Sequence, residues 1–575
     1  MWNTDSSLVR FGILSLAGWL FASTATSQEI LMDHVGNGVR ERKPEDIEPL
    51  GDLDGDGVCD FILGHPFNGS VWIRSGADGH ILKKHYLPSF NGHSTRFGSS
   101  VAGVGLMDAD GVPDYAIGAP DLTRTVEWAG EIQVFSGATH QLLFTLSEDV
   151  PSERFGRQVI NIGDVNGDGH PDIGEIGWSS GSQVPPLRIY LGPDGVLFRN
   201  QYEVAWGSNT LAPFGDHDGD GCDEYLVGAY DPYGTPTHYR FVRLFSGREG
   251  GLLLEMVGRR AEEYLGQSVC AAGDWDGDGI GDIIAGAPGT WSMVNADGKA
   301  GVYVFSGADG SVIRFFDGEQ YCGFSSAFGW SVDSNRDING DGWPDLLVGA
   351  PMEPKNAPFP WIRQRGTAFL FSGRTGALLW AHRGSSIGAR VGYSVDLLED
   401  YTGDGLDDWM VLAPGYDEDT TVVGPDAGRF TIYAGFAGDA ESVCTAGPNS
   451  VGTGARLWNS GPISVRENAL ELTLSNMPQA KAAFLIHGQL VPATPFGQGE
   501  LCITTPIQRL ATVVTGTGGP PDAPSSASVK IDLRQPPFTN GGNTIDPGDT
   551  WAFQFLYREG GVRNTSNALA VTFVP

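Results

Sequence analysis

One unit recurs seven times in this chain, and that repetition limits the possible folds more than any other feature. Its clearest copy is "AGDWDGDGIGDIIAGAP", Ala272 to Pro288. The others are "GDLDGDGVCDFILGHP" (51–66), "LMDADGVPDYAIGAP" (106–120), "GDVNGDGHPDIGEIGW" (163–178), "GDHDGDGCDEYLVGAY" (215–230), "RDINGDGWPDLLVGAP" (336–351) and "EDYTGDGLDDWMVLAP" (399–414). Their first aspartates, Asp52, Asp108, Asp164, Asp216, Asp274, Asp337 and Asp400, are spaced by 52 to 63 residues. A short "FG" element stands upstream, as at Phe97-Gly98, Phe155-Gly156, Leu265-Gly266, Phe328-Gly329 and Val391-Gly392. Downstream come a variable loop, an alternating run ending in Ser-Gly ("IQVFSG", "VYVFSG"), a turn and a fourth apolar run. Four short runs punctuated by Gly and Asp, with no helical period, predict a four-stranded antiparallel blade. Seven blades around an axis make an all-β fold, a β-propeller that protects its sheet edges by radial repetition.

The last unit stops after "FTIYAG" (430–435) without a fourth strand, and "QEILMDHVG" (28–36) reads as an orphan fourth strand. The propeller is therefore expected over 28–436, closed by its N-terminal strand. Residues 1–27 carry one base, Arg10, ahead of an apolar segment and end in Ala25-Thr26-Ser27. That pattern predicts a cleaved signal peptide and an exported chain, extracellular, cell-surface or periplasmic. No other run is apolar and long enough to span a bilayer. Residues 440–575 alternate apolar and polar over several runs, with Trp551, Phe553, Phe555 and Tyr557 on one side of a strand. About eight strands there suggest a small β-sandwich. Cys444 and Cys502 are the expected disulfide, whereas Cys59, Cys222, Cys270 and Cys322 fall in four different repeats and read as small core residues.

Charge separates the regions. The chain's formal net charge is −34, and the segment 28–436 holds −32 of it. Such a balance argues against nucleic acid or anionic lipid as a partner. The acidic loops account for 24 carboxylates, so most of the imbalance belongs to them. Crowded carboxylates repel one another unless a counter-charge is present. A calcium ion, which takes 6–8 oxygens, resolves the conflict, with ligands at alternate loop positions and a Gly for the sharp turn.

In the clearest copy, Asp274, Asp276 and Asp278 are positions 1, 3 and 5, the Ile280 carbonyl is position 7 and Asp282 is position 9. The same frame assigns Asp52, Asp54, Asp56, Val58 and Asp60; Asp164, Asn166, Asp168, His170 and Asp172; and Asp216, Asp218, Asp220, Cys222 and Glu224. It further assigns Asp337, Asn339, Asp341, Trp343 and Asp345, then Asp400, Thr402, Asp404, Leu406 and Asp408. Glu224 is one methylene longer than its counterparts, which alters the geometry expected there. The second copy reads as two residues short, keeping only Asp108, Asp110 and Asp114, so a weak or empty site is expected. About six structural calcium sites follow. An EF-hand needs a Glu at position 12 and flanking helices, whereas here position 9 runs straight into a strand. Thiolate and imidazole are absent from the carboxylate frame, which disfavours zinc.

The paired elements around each loop, such as Phe97-Gly98 with Gly118-Ala119-Pro120 and Phe328-Gly329 with Gly349-Ala350-Pro351, resemble the FG-GAP repeats of the integrin α-subunit propeller. The resemblance covers roughly 28–436. It implies calcium loops between the first two strands of a blade on one face and ligands on the opposite face. It does not extend to the integrin leg or to a heterodimeric receptor. The C-terminal region is loosely similar to end domains of some secreted bacterial repeat proteins.

Loops after "GAP" are expected opposite the acidic loops, and Trp128, Tyr233, His238, Trp291, Phe359, Trp361, Arg363 and Tyr416 on them are the candidate ligand-contacting residues. The function expected is secreted, calcium-stabilised binding or adhesion toward an extracellular protein or glycan. The alternative is a polysaccharide-active lyase or hydrolase with its site in the propeller funnel. Gly177 to Gly181 match G-x-S-x-G but stand where other units have "GAP" and a loop, not a strand–turn–helix, and no catalytic residues are assigned.

Overall fold

The computed structural model describes residues 10–11, 30–35 and 46–442, except 90–92, 125, 149, 178–186, 202–207, 231–239, 260–262, 290–299, 323–325, 353–364, 385–387, 402–404, 416–427 and 436–439. Beyond 442 it describes 456–459, 471–477, 482–496, 499–514, 525–531, 550–559 and 562–572.

Seven antiparallel sheets make up residues 30–433, six of them built from four strands in sequence order. Blade one comprises Asp46–Gly51, Asp60–His65, Ser70–Arg74 and Ile81–Tyr86. Blade five comprises Ser268–Ala271, Ile283–Ala287, Gly301–Phe305 and Val312–Asp317. In blade seven the strands Ser394–Leu398, Asp408–Ala413 and Arg429–Tyr433 take their fourth partner from Ile30–Val35, with Met32 opposite Ile432. Arg10–Phe11 adds a short fifth strand outside it. The first strands of successive blades pack against one another around the axis, and that of blade seven meets that of blade one. The ring is closed, a seven-bladed β-propeller.

Burial explains the alternating patterns. The second strand of each blade is enclosed on both faces, as in the uninterrupted burial of Ile283–Ala287, while the outer strand is half-exposed. Apolar side chains from adjoining blades form one cluster at each interface. The closing cluster joins Met32, Leu412 and Phe430 of blade seven to Ile47, Phe61 and Leu63 of blade one. The core is thus a ring of seven interfaces rather than one centre.

The FG and GAP elements are the joint between blades. The first strand runs from FG to the acidic loop and the second returns, so FG and GAP share the end opposite that loop. Gly98 N–H donates to Gly118 O at 2.9 Å within blade two. A Cβ on Gly64 of blade one would lie 2.1 Å from the Gly98 carbonyl oxygen, and one on Gly286 would lie 2.0 Å from that of Gly329. Only glycine allows the two backbones to approach this closely.

Beyond residue 436 the described strands form a five-stranded and a three-stranded antiparallel sheet. Phe553 and Tyr557 are buried, as their shared side of the strand requires. Among the described cysteines, Cys59, Cys222, Cys270 and Cys322 form no disulfide, and Cys222 and Cys270 are buried. Cys444 lies outside the described residues, as does the side chain of Cys502, so their pairing carries forward only as a proposal. No helix among the described residues is long and apolar enough to cross a membrane.

Candidate metal centres and the opposite face

Each acidic loop joins the first and second strands of its blade, on one face of the ring. The loop is first a self-capping backbone turn. Asp274 Oδ1 accepts N–H bonds from Gly277 and Asp278 at 2.7 and 3.2 Å, and its Oδ2 accepts from Gly279 at 2.9 Å. Asp52 does the same for Gly55, Asp56 and Gly57, and Asp164 for Gly167, Asp168 and Gly169. Asp216 caps Gly219 and Gly221, Asp337 caps Asp341 and Gly342, and Asp400 caps Gly405. The position-5 aspartates Asp56, Asp168, Asp220, Asp278 and Asp341 accept the N–H of Val58, His170, Cys222, Ile280 and Trp343.

Position 9 has a second task that spacing does not reveal. Its carboxylate is fully buried in all seven loops, Asp60, Asp114, Asp172, Glu224, Asp282, Asp345 and Asp408. Asp282 accepts Trp275 N–H at 2.6 Å through one oxygen and Gly307 N–H at 2.9 Å through the other. Gly307 belongs to the Ser-Gly turn after the third strand, so this side chain ties loop to turn. The same pair of bonds recurs at Asp60, Asp114, Asp172, Asp345 and Asp408. Glu224 reaches the equivalent donors, His217 at 2.6 Å and Gly247 at 3.3 Å, so its extra methylene is absorbed. Burial pushes Asp60 and Asp282 up to about 6 and Asp172 to about 7, against the pull of these N–H donors. A cation beside such a group compensates its desolvation.

Oxygen donors converge as a divalent ion requires. One carboxylate oxygen from each of Asp52, Asp54 and Asp60 lies within 4.8 Å of the others, and likewise for Asp216, Asp218 and Glu224, and for Asp274, Asp276 and Asp282. An all-oxygen, carboxylate-rich set fits a hard cation. In the third and sixth loops an asparagine stands at position 3. Asn166 Oδ1 accepts Asp168 N–H at 2.9 Å, and Asn339 Oδ1 accepts Asp341 N–H at 3.0 Å. Thr402 and Asp404 of the seventh loop lie outside the described residues.

The second loop corrects the sequence-based frame. Met107 N–H donates to Asp114, Asp110 N–H to Asp108, and Val112 N–H to Asp110, which are the position 2-to-9, 5-to-3 and 7-to-5 bonds of the other loops. Nothing is deleted. Leu106, 44% exposed, occupies position 1, and Asp108, Asp110 and Asp114 are positions 3, 5 and 9, their oxygens also within 4.8 Å. What the loop lacks is the position-1 carboxylate.

Other features escaped the motif. Asp223 and Asp407, at position 8, accept the N–H of Asp164 and Asp337 from the preceding loops, at 2.8 and 3.3 Å, and so link neighbouring loops. Arg248 places an internal cation on the fourth loop, its Nε 2.8 Å from Asp220 Oδ2.

On the opposite face, Trp128 lies between the second and third strands of blade two, half-buried, with Arg154 5.8 Å from its ring centre. Tyr233, His238, Trp291, Phe359, Trp361, Arg363 and Tyr416 lie outside the described residues. So do Trp178 to Gly181 of the G-x-S-x-G match, whose Gly177 directly follows the second strand of blade three.

Repeated FG and GAP joints in a closed seven-bladed ring, with acidic loops between first and second strands, define an FG-GAP β-propeller. The comparisons agree: the FG-GAP repeat family model matches residues 328–359. Integrin alpha-V of Gallus gallus is 34% identical over 160 residues, 28% of this chain and 14% of that protein. Integrin alpha-8 of Gallus gallus is 32% identical over 184 residues, 31% and 16% of the two chains. Integrin alpha-5 of Xenopus laevis is 30% identical over 256 residues, 41% and 22%. The matched segments therefore span less than a quarter of these relatives. A solved structure described as the Dos1 propeller aligns over 68% of this chain and 77% of its own at 9% identity, with a TM-score of 0.41. The chain is a seven-bladed β-propeller whose repeats are similar to FG-GAP repeats and, over part of its length, to integrin α subunits, with a further β-rich region after it.

Proposed function

We propose that this is an exported, calcium-stabilised binding or adhesion protein that engages an extracellular protein or glycan through the propeller face opposite its acidic loops. The observation that carries the reading is the convergence of position-1, -3 and -9 carboxylates on one face, while FG and GAP joints hold the other. Calcium fills the loops of blades one, three, four, five, six and seven, with the position-7 carbonyls of Val58, His170, Cys222, Ile280, Trp343 and Leu406 as further ligands. The second loop, lacking a position-1 carboxylate, binds weakly or not at all. Bound calcium is structural: at the ~10⁻⁴–10⁻³ M affinity of extracellular modules and millimolar calcium, each site adds about 0.4–1.4 kcal/mol.

Residues 1–27 are removed on export, taking Arg10–Phe11 with them and leaving Ile30–Val35 as the outer strand of blade seven. The region 440–575 is a β-sandwich stapled by Cys444 and Cys502. The test is a glycan and matrix-protein array with the mature protein, in calcium and in chelator, beside an assay for unsaturated sugar products. Saturable, calcium-dependent binding without turnover supports the reading. Release of unsaturated sugars contradicts it and selects the lyase alternative.

A further inference from the structure

Among the described residues, the mouth of the ring on the FG–GAP face is basic, opposite in sign to the chain as a whole. A cavity of about 440 Å³ opens there, lined by Arg96, Ser99, Asp121, Arg154, Arg157 and Tyr393, with Pro120 at its edge. Among the described residues that line it, three guanidinium groups face one carboxylate, in a chain of net charge −34. Beneath it a second cavity of about 280 Å³ lies among the first strands of blades one to four, where Arg157 is joined by Asp46, Glu48 and Gln158. The axis is thus basic at its mouth and acidic below.

The backbone says these arginines are not there to make the turn. Arg96 and Arg154 immediately precede the Phe-Gly pairs of blades two and three, both at φ 50°. The same left-handed position holds Tyr264 at 56°, Ala327 at 58° and Arg390 at 56°. The fold dictates this conformation, which is strained for a non-glycine residue. Ala327 adopts it as readily as arginine, so turn geometry does not call for a guanidinium. Each is held in place by neighbours. Arg96 Nε donates to Ser99 Oγ at 3.4 Å, and its guanidinium lies 5.5 Å from the centre of the Phe67 ring. Arg154 Nε lies 3.3 Å from Asp121 Oδ1, with Trp128 behind it. Arg157 is exposed. Beside them Tyr393 lines the basin, its ring tilted against Trp330 with ring centres 5.8 Å apart.

We propose that this basin binds the carboxylate or sulfate groups of an acidic glycan, with Arg96, Arg154 and Arg157 as the anion ligands and Tyr393 against the sugar ring. This rests on the reading that the FG–GAP face meets the ligand, and names the ligand's chemistry. A planar guanidinium fork pairs with carboxylate or sulfate oxygens bidentately. Asp46, in the cavity below, disfavours a polyanion there, so its charged group stops at the mouth rather than threading the channel.

The experiment is titration calorimetry of the mature full chain in constant calcium with four probes. These are an unsulfated chondroitin hexasaccharide (carboxylates alone), its sulfated form, neutral maltohexaose and a Glu-rich peptide. Both charged sugars bind and maltohexaose does not; sulfation tightening the affinity assigns the sulfates to the basin, and equal affinities assign the carboxylates. Arg157→Gln and Arg96→Gln each weaken binding about tenfold or more, as loss of one charge-assisted pair implies. Lys83→Gln, the same charge change on the outer strand of blade one, leaves it unaltered. Melting curves matching the parent's show that the arginine variants are folded. Binding of the peptide but neither charged sugar, equal binding of maltohexaose, no charged-sugar binding, or indifference to both arginine variants overturns the inference. If the array then finds another ligand for this face, the broader binding function stands; if it finds none, that falls too.

Discussion

Replacing Asp282 by alanine separates the two tasks of position 9. The substitution removes the acceptor for Trp275 N–H, at 2.6 Å, and for Gly307 N–H, at 2.9 Å, in a place with no exposed surface. A buried donor left without a partner costs about 1–3 kcal/mol, so two cost roughly 2–6 kcal/mol. For a ring of roughly 400 residues, an unfolding entropy of about 2.1 cal/mol/K per residue amounts to about 0.85 kcal/mol/K. The melting temperature should therefore fall by about 2–7 °C. Because the two bonds are internal, the loss persists in chelator. Asp274→Ala is the contrasting variant. Its donors, Gly277, Asp278 and Gly279, lie in an exposed turn where water replaces the carboxylate. Its deficit should appear in millimolar calcium and largely disappear in EDTA. Scanning calorimetry of both variants and the parent, in calcium and in EDTA, makes the comparison. If the Asp282→Ala deficit vanishes in EDTA, position 9 is a metal ligand only and the tie to the Ser-Gly turn is energetically idle.

Three further outcomes follow from the geometry. Leu106→Asp restores the position-1 carboxylate of the second loop, and calorimetric titration should count one more calcium per chain; an unchanged count contradicts the corrected frame. Gly286→Ala puts a Cβ 2.0 Å from the Gly329 carbonyl oxygen and should lower the melting temperature by a few degrees, since such overpacking costs about 1–3 kcal/mol. Gly281→Ala, whose Cβ would meet only the Phe214 ring at 3.8 Å, should be near neutral. Burial holds Asp60, Asp282 and Asp333 at about 6 and Asp172 and Glu175 at about 7, all above their unfolded values. The calcium-free native state thus binds more protons than the unfolded chain between about pH 4 and 7, and stability falls as pH rises through that window. Melting temperatures in EDTA should decline from pH 5 to 8, and a rise would contradict the assignment.

Much of this was legible in the sequence because the repeat displays it openly. Asp-x-Asp-x-Asp-Gly followed by an apolar run marks a turn entering a buried strand, and seven copies set the blade count. The second loop is misleading in sequence because Leu106 replaces the aspartate on which the frame is anchored; the Gly-x-x-Asp ending, counted backward from Asp114, gives the right register. The structural role of Asp282 and its counterparts was hidden because it depends on Gly307, 25 residues away across the blade. Asp223 and Asp407 carry no signal within their own repeat because their partners are in the preceding blade. The basic basin is invisible for the same reason: Arg96 and Arg154 lie 58 residues apart, and Tyr393, in blade seven, lies 239 residues beyond Arg154 in sequence. Local spacing reports what one blade does, and the interfaces between blades must be seen in three dimensions.

The most direct measurement is the calcium dependence of the mature protein's melting temperature at neutral pH. With about six sites at about 0.4–1.4 kcal/mol each, EDTA should lower it by roughly 3–10 °C, and added calcium should restore it. A melting temperature indifferent to both would mean that the acidic turns are held by their own backbone bonds and that no ion shapes this propeller.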